Sequence, residues 1–278
     1  MTAPIDGFKS ATLKDLRERW WTDDFTEFLA ETLRPRPGNR ILDVGCGQGL
    51  AEVSLGRLHI SQVRLVGIDL AVAKVVAALQ ETKSHNQRVG FAAAEASRLP
   101  FRDGAFDSLF CVAVLQHVVD AGAAVAEFAR TTAKSGRIVA VEPDNAARYL
   151  FSSTRAGAHA FELSRQFFAA ATEARGEQTD DQIGPKLPAL FAAHGIEPID
   201  VRMFPVSHTR LQPPLPDEWK ERRDAVQRVL GRVTRKDVRE LGRELILALT
   251  TYEGDATAAT TFVEIQHTML FATVGQRS

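Results

Sequence analysis

The alternation of short apolar runs with helical patterns between residues 39 and 142 constrains the fold of this chain most strongly. Runs rich in Val, Ile, Leu and Phe occupy residues 40–45, 63–70, 88–95, 106–115 and 136–142, and such runs are typical of strands buried on both faces. Helical patterns separate them, and the one at 120–135 begins at Asp120, a favourable N-cap, and stops before Gly136. Strands that alternate with helices predict an α/β fold with a doubly wound parallel sheet.

The segments outside this alternation are predicted to be mainly helical additions. We expect an N-terminal helical cap segment over 1–37, a core over 38–145, a helical lid insertion over 146–182 with its helix at 146–176, and the end of the core sheet over 183–278 with a helical insertion at about 212–254. Ligands bind beyond the carboxyl ends of the strands in a doubly wound sheet. Because insertions that follow strands lie on that side, we expect the helical segments to form a cap over the site.

The composition argues against several classes of partner. The chain has 278 residues, 45% of them hydrophobic and 25% charged, with a formal net charge of −1. This charge gives no global field to hold a nucleic-acid backbone, and no apolar run approaches the roughly 20 residues of a membrane span. The two cysteines, Cys46 and Cys111, are predicted to be buried, reduced thiols, and no apolar export signal is evident, so a cytoplasmic location is expected. Both a monomer and a homodimer remain open.

A glycine-rich turn, Asp43-x-Gly45-x-Gly47-x-Gly49, directly follows the first predicted strand. A phosphate-binding P-loop would need a Lys-Ser or Lys-Thr pair after its last glycine, and none is present. A dinucleotide fingerprint would need its third glycine at position 50, which is Leu50. Glycine tolerates unusual dihedral angles and lets the backbone approach a ligand closely, so a different nucleoside site and an ordinary turn both remain open.

Three further motifs follow the glycine turn in order. The second predicted strand ends at Asp69, the third leads into Glu95-Ala96-Ser97-Arg98-Leu99-Pro100-Phe101, and the fourth lies in DGAFDSLFCVAVLQHVVD, before KSGRIVAVEP at the fifth. The set resembles class I S-adenosylmethionine (SAM)-dependent methyltransferases of the small-molecule type over about residues 38–145. The resemblance implies a Rossmann-like sheet of seven strands, mostly parallel with the last antiparallel, and SAM as cofactor with S-adenosylhomocysteine as product.

The resemblance also implies roles for individual residues in binding the cofactor. Asp43 would lie near the aminoacyl group, Asp69 would accept both ribose hydroxyls, and Glu95, which replaces the more usual Asp, would accept from the adenine amino group. Asp69 is also suited to cap the helix that follows it. The other residues assigned to the cofactor are Gly45, Cys46, Gly47, Gly49, Leu70, Ala96, Cys111, Val112 and Gln116.

Catalytic candidates follow the fourth and fifth strands. A general base helps methyl transfer to a hydroxyl by roughly 10²–10⁴-fold, and His117 and Glu142 are the candidates. A structural histidine and a helix-capping carboxylate are the alternatives. Asp144-Asn145 lies two residues later than the magnesium pair of catechol-type methyltransferases, and no acid ends the fourth strand, so no metal is expected.

Aromatic residues in the additional segments are candidates for the substrate pocket. Trp21, Tyr149 and Phe168 are predicted to contact the acceptor, although packing of cap on core would account for them equally well. Small-molecule pockets are mostly apolar. We therefore expect transfer of a methyl group from SAM to an O, N or C nucleophile of a small apolar or aromatic molecule. A non-methylating rearrangement by a SAM-binding enzyme, and a methyltransferase acting on RNA or protein, are the alternatives.

Overall fold

A seven-stranded sheet organises the protein. The computed structural model describes residues 18–57, 63–85, 89–174, 180 and 182–278. The strands are β1 Arg40–Val44, β2 Arg64–Asp69, β3 Val89–Ala93, β4 Phe106–Val112, β5 Thr132–Ser152, β6 Ile196–Arg210 and β7 Glu264–Arg277. Their order in the sheet is β3-β2-β1-β4-β5-β7-β6. The pairs β2–β3, β1–β2, β1–β4 and β4–β5 are parallel, and the sheet is mostly parallel with an antiparallel strand at its end, which confirms the predicted fold class.

Helices connect and follow the strands. In the described ranges the α-helices are α1 Asp23–Leu33, α2 Leu50–Arg57, α3 Val72–Ser84, α4 Ala121–Thr131, α5 Arg155–Ala174, α6 Leu187–Ala193, α7 Pro216–Leu230 and α8 Lys236–Ala258. Short 3-10 turns lie at Leu115–His117 and Gly184–Lys186. No helix in these ranges is both long and apolar enough to cross a membrane.

The register of the central strands aligns their carboxyl ends. Asp43 in β1 pairs with Gly67 in β2 and with Phe110 in β4. The sequence order of the strands reverses between β1 and β4, since β2 and β3 lie on one side of β1 and β4 and β5 on the other. Such a reversal is where open α/β sheets bind ligands. The carboxyl ends of β1, β2 and β4, together with the loops that follow them, carry most of the residues predicted to bind the cofactor.

The chain divides into two compact units, with boundaries inside β5, β6 and β7. The sheet unit contains residues 18–147, 179–205 and 269–278, and the helical unit contains 148–178 and 206–268. The core of the sheet unit is built from strand and helix side chains that include Leu42, Leu109, Phe128, Ile138 and Phe191. Burial of such side chains is the main favourable contribution to folding.

The helical unit has an apolar core of its own around Trp219, Tyr252 and Phe167, which are all fully buried. At the edge of this core the buried carboxylate of Glu264 accepts both guanidinium NH₂ groups of Arg222 at 2.8 and 2.6 Å and the Tyr252 hydroxyl at 2.8 Å. The Arg222 guanidinium also lies 4.7 Å from the centre of the Trp219 ring. Buried charges are tolerated when they are paired and hydrogen-bonded in this way.

Two helix boundaries differ from the prediction. Residues 146–152 continue β5, and α5 begins only at Arg155. The alanines of this stretch favour a helix, but β5 lies beside β7 in the sheet, and Ser153 and Val263 exchange hydrogen bonds just beyond these strands. Sheet pairing therefore overrides local propensity. Helix α4 starts at its predicted N-cap, Asp120, which accepts from the Ala123 N–H at 2.8 Å, but it ends at Thr131 because Thr132 is already in β5.

Some predicted features lie wholly or partly outside the described residues. The helix predicted near the N-terminus is observed only as α1, and residues 1–17 are not described. The predicted lid segment likewise contains residues 175–179 and 181, which are not described. The division into cap, core and lid segments stays a prediction.

Candidate functional site

The glycine turn after β1 has a backbone conformation that side chains disfavour. Gly45, Gly47 and Gly49 have φ values of +79°, +56° and +85°, in the left-handed region that glycine enters without steric cost. A Cβ on Gly45 would lie 2.3 Å from a methyl group of Val114. The N–H groups of Gly45 and Cys46 donate to the carbonyl of Ile68 in β2 at 2.7 and 2.8 Å. The turn is therefore closely packed and held against the end of β2.

Asp69 connects this turn to the helix that follows β2. Its Oδ2 accepts the Gly47 N–H at 3.1 Å and its Oδ1 accepts the Ala71 N–H at 2.8 Å. The ammonium of Lys74, in the first turn of α3, lies 3.6 Å from Oδ2. The Asp69 side chain is 9% exposed. The N-cap of α3 is Ala71, so Asp69 is not the capping residue, and its carboxylate lies next to the glycine turn.

Asp43 is buried beneath the turn with a second carboxyl group, that of Glu52. Both residues are almost inaccessible to solvent, and their carboxyl groups lie within hydrogen-bonding reach of each other. Burial raises the pKa of Asp43 well above its usual range, and the neighbouring charge of Glu52 raises it further. Burial also raises the pKa of Glu52, to about 7. Two desolvated carboxyl groups in contact cannot both ionise cheaply, so this pair retains a proton.

The two cysteines are free and buried, as predicted. Cys46 lies in the glycine turn, and burial raises the pKa of its thiol, with a further increase from the charge of Asp43. Cys111 is the last residue but one of β4, and burial raises its thiol pKa as well. Neutral thiols at these positions act as small apolar side chains.

The residues predicted to contact adenine lie on the loops after β2 and β3. Leu70 is 73% exposed. Glu95 is exposed and accepts the Ser97 hydroxyl at 2.8 Å. Ala96 packs against the core of the sheet unit. The Ala94 N–H donates to the Asp69 carbonyl at 3.1 Å, so the start of this loop is joined to the end of β2.

The loop after β4 is strained and capped by Glu142. Ala113 has a φ of +55°, an unfavourable value for a residue with a Cβ that is often retained at functional sites. Glu142, fully buried at the end of the core part of β5, accepts the N–H groups of Val114 at 2.8 Å and Leu115 at 2.7 Å, and that of Gln116 at 3.4 Å. Its geometry is that of a carboxylate capping the 3-10 turn. A role as general base stays a prediction.

The 3-10 turn presents Gln116 and His117 differently. Gln116 is buried, and its side-chain oxygen accepts from the Asn145 amide at 3.3 Å. His117 is exposed at the end of the turn, and its backbone N–H donates to the Val114 carbonyl at 2.9 Å. Val112, the last residue of β4, is half-buried. The described ranges contain no group of three or more His, Cys, Asp and Glu side chains that could hold a metal ion.

The three residues predicted to contact the acceptor are divided between the units. Trp21 belongs to the sheet unit, where its ring packs edge-on against Phe25 with the ring centres 5.1 Å apart. Tyr149 and Phe168 belong to the helical unit. Tyr149 is 56% exposed, and Phe168 packs against Phe167 with the ring centres 5.1 Å apart. Substrate contact by all three remains a prediction.

Residues 42–140 match a family model described as a methyltransferase domain. This part of the chain is therefore similar to methyltransferase domains. The match begins inside β1 and ends inside β5, so the matched segment includes the glycine turn, Asp69 and the loop after β4.

Named methyltransferases are similar to this chain over part of its length. The chain is 31% identical to demethylmenaquinone methyltransferase of Mycobacterium marinum over 137 residues, which are 49% of this chain and 54% of that protein. It is 32% identical to the O-methyltransferase cnsE of Penicillium expansum over 117 residues, or 42% of each chain. The chain thus spans about half the length of the curated relatives it matches.

A solved structure shows the same fold over most of the chain. A Bacillus halodurans C-125 protein, named as a candidate methyltransferase, superposes with a TM-score of 0.57 over 92% of this chain and 100% of its own, at 15% identity. At that identity the likeness establishes the fold alone.

Residues that the sequence reasoning missed are Glu52, Lys74 and Ala113. A carboxylate in the apolar segment Leu50-Ala51-Glu52-Val53 was the available signal for Glu52. The strain at Ala113 leaves no signal in the residue type.

Proposed function

We propose that this protein is a SAM-dependent methyltransferase that acts on an O, N or C nucleophile of a small apolar or aromatic molecule. The observation that carries the proposal is the connection of Asp69 to Gly47, which puts a buried carboxylate beside a glycine turn at the carboxyl ends of β1 and β2. Such an arrangement suits a nucleoside, because the carboxylate can accept ribose hydroxyls while the glycine backbone approaches the ligand.

The residues present fit SAM. Asp43 and the turn of Gly45, Cys46, Gly47 and Gly49 would hold the aminoacyl end, and Asp69 the ribose. Leu70, Glu95 and Ala96 would border the adenine, because an exposed leucine beside a polar loop leaves an apolar surface for a ring. Val112 and Gln116 would border the reacting end. When bound, SAM would supply an activated methyl group.

The chain itself contributes positioning and proton transfer. Orienting a nucleophile supplies much of the catalysis in a displacement of this kind. The network of Glu142, Gln116 and Asn145 fixes the loop after β4. We assign His117 as the general base for a hydroxyl acceptor, since its imidazole is exposed at the end of that loop and imidazole commonly moves protons at neutral pH.

An apolar or aromatic acceptor is supported by the name of one relative and by the aromatic residues in the segments outside the α/β alternation. The relative from Mycobacterium marinum is named a demethylmenaquinone methyltransferase. Trp21, Tyr149 and Phe168 are the residues proposed to contact such an acceptor. The proposal includes a cytoplasmic location, supported by the free thiols Cys46 and Cys111, a monomer or homodimer, and no nucleic-acid partner.

The test is transfer of a labelled methyl group from SAM to a panel of hydroquinones, phenols and aliphatic alcohols. We expect label in at least one product and loss of that transfer in Asp69→Ala, with Asp200→Ala, an exposed carboxylate on β6, as the matched control. Binding of SAM without its consumption while an added substrate is rearranged would favour the non-methylating alternative. Label appearing only in RNA or protein would contradict the small-molecule proposal.

A further inference from the structure

Glu52 occupies an unusual position for an acidic residue. It is the third residue of α2, three positions after Gly49, and it is fully buried. No N–H or hydroxyl group among the described residues donates to either of its carboxyl oxygens. An ionised carboxylate buried without donors is costly, so the position is difficult to explain as a solvated helix face or as a surface ion pair.

The carboxyl group of Glu52 lies close to Gly67, at a point where a side chain would not fit. A Cβ built on Gly67 of β2 would lie 2.6 Å from Oε1 of Glu52 and 2.7 Å from the ring of Phe91 in β3. Glycine at position 67 therefore makes room for the carboxyl group, and an aromatic ring borders that space. Gly67 is also the partner of Asp43 in the β1–β2 register, which brings Glu52 beside Asp43.

The ionisable groups around this pair come from every neighbouring segment. Besides Asp43 on β1, they are the thiols of Cys46 in the glycine turn and Cys111 in β4, Asp69 at the end of β2, and Lys74 on α3. The ring of Phe91 in β3 borders the same space. Lys74 is 3.6 Å from Asp69 and its side chain is 43% exposed. Lys74 therefore pairs with Asp69, whereas the carboxyl group next to Glu52 is that of Asp43.

A hydrogen bond between two carboxyl groups requires a proton on one of them. Burial raises the pKa of both Asp43 and Glu52, and the apparent values belong to the pair. A cation bound at Asp43 favours ionisation of that carboxyl group. The remaining proton then resides on Glu52, which becomes the donor to Asp43.

We propose that Glu52 is a positioning residue of the cofactor site, which donates a hydrogen bond to Asp43 and thereby holds the Asp43 carboxylate for the ammonium group of the cofactor. The inference rests on the proposed function, because it assumes that Asp43 meets the aminoacyl end of SAM. Glu52 itself acts through Asp43 and has no contact with the reacting atoms.

This role makes binding depend on pH in a definite direction. With the Glu52 pKa at about 7, the free pair carries two protons below neutral pH, and binding of an ammonium group releases one. Affinity for S-adenosylhomocysteine, which carries the same ammonium group, falls as the pH decreases through 7. Linkage to one proton predicts a loss of about tenfold between pH 8 and pH 6.

The experiment is calorimetric titration of the full chain with S-adenosylhomocysteine between pH 5.5 and 8.5. Glu52→Gln, whose amide also donates to Asp43, should bind within about threefold of wild type at pH 8 and show its loss of affinity at least one pH unit lower. Glu52→Leu, which removes the donor, should bind about tenfold or more weakly at pH 8, the effect of one lost hydrogen bond to a charged group. Glu197→Gln, an exposed glutamate on β6, is the matched control and should behave as wild type.

Coincident affinities and pH midpoints for wild type, Glu52→Gln and Glu52→Leu would overturn the inference. If Glu52→Leu does not fold, the pH profiles of wild type and Glu52→Gln are sufficient for the test. Coincident pH midpoints for these two proteins would overturn the inference. Failure of the wild type to bind at any pH would instead refute the proposed function on which the inference rests.

Discussion

The backbone N–H of Gly47 donates to the carboxylate of Asp69 at 3.1 Å. This bond ties a turn that lies in the left-handed region of backbone space to the end of the neighbouring strand. The two features predicted separately from the sequence, a glycine turn after β1 and an acid after β2, are thus parts of one structure.

Removal of the Asp69 charge should weaken cofactor binding. Asp69→Asn keeps the size of the side chain but replaces one of the two oxygens that accept from Gly47 and Ala71 with a donor. Because hydrogen bonds to charged groups contribute about 1.5–3 kcal/mol, we expect a roughly 10- to 100-fold increase in Kd for S-adenosylhomocysteine by calorimetry. Asp200→Asn on the exposed face of β6 is the control. An unchanged Kd for Asp69→Asn would show that this carboxylate does not bind the cofactor.

A methyl group on Gly45 should be poorly tolerated. The added Cβ would lie 2.3 Å from Val114, and φ is already +79°. We expect Gly45→Ala to lower the free energy of unfolding by about 2 kcal/mol or more, from strain and overpacking, measured by urea denaturation. Gly38→Ala is the matched control, because φ is +87° but nothing lies within 4 Å of the added Cβ, and only the strain should be seen. Val114→Ala in the Gly45→Ala background should restore part of the loss, and a loss no larger than that of Gly38→Ala would contradict the packing argument.

The buried carboxyl pair predicts how stability varies with pH. The pKa of Glu52 is raised from a usual value of 4.5 to about 7 in the folded protein, so the folded state binds more protons than the unfolded state between these values. Its contribution is therefore fully present below about pH 4.5 and is lost as pH rises to about 7, a change on the order of 3 kcal/mol. Glu52→Gln lacks this titration.

The measurement is the difference in the free energy of unfolding between wild type and Glu52→Gln at pH 5, 6, 7 and 8. Wild type should lose stability relative to Glu52→Gln as pH rises to 7, with little further change above it. A constant difference across this range would mean that Glu52 titrates near its ordinary pKa.

The polar network of the helical unit should contribute to stability. Glu264→Gln removes the charge that pairs with Arg222 and accepts the Tyr252 hydroxyl. Loss of one partner from a buried ion pair costs about 3–5 kcal/mol, and Tyr252→Phe, which removes only the hydroxyl, should cost about 1 kcal/mol. Thermal denaturation provides the comparison, with Asp237→Asn, an exposed partner of Arg235, expected to leave the melting temperature unchanged. Equal melting temperatures for Glu264→Gln and wild type would show that the network adds no stability.

Substitution of His117 should lower activity, whereas substitution of Glu142 should lower stability. His117 is exposed, whereas the buried Glu142 accepts backbone N–H groups of the turn that carries His117. We expect His117→Ala to lower kcat for a hydroxyl acceptor by roughly 10²–10⁴-fold with little change in melting temperature. Glu142→Ala should lower the melting temperature, because it leaves buried N–H groups without an acceptor. An unchanged kcat in His117→Ala would contradict a general-base role for this histidine.

The sheet and the glycine turn could be predicted because residue type determines both locally. Short apolar runs of six to ten residues specify buried strands, and the glycines at 45, 47 and 49 specify a backbone that other residues avoid. Asp69 was predictable because its place at the end of β2 follows from the same pattern. These are features in which neighbouring residues along the chain decide the structure.

Features set by distant contacts could not be predicted in the same way. The start of α5 depends on the position of β5 beside β7 in the sheet, and the alanines at 146 and 147 gave the opposite local preference. The pairing of Glu52 with Asp43 depends on the empty space at Gly67 in another strand. The strain at Ala113 arises where its N–H donates to the Val141 carbonyl in β5. Each requires knowledge of which strands and helices are neighbours.

We propose that the glycine turn and Asp69 bind SAM, and calorimetric titration of the wild-type chain with SAM and S-adenosylhomocysteine at pH 8 tests this proposal most directly. We expect saturable binding of both ligands at about one site per chain, weakened at least tenfold in Asp69→Asn and unchanged in Asp200→Asn. Absence of heat from either ligand up to about 1 mM, where binding would contribute less than roughly 4 kcal/mol, would contradict it.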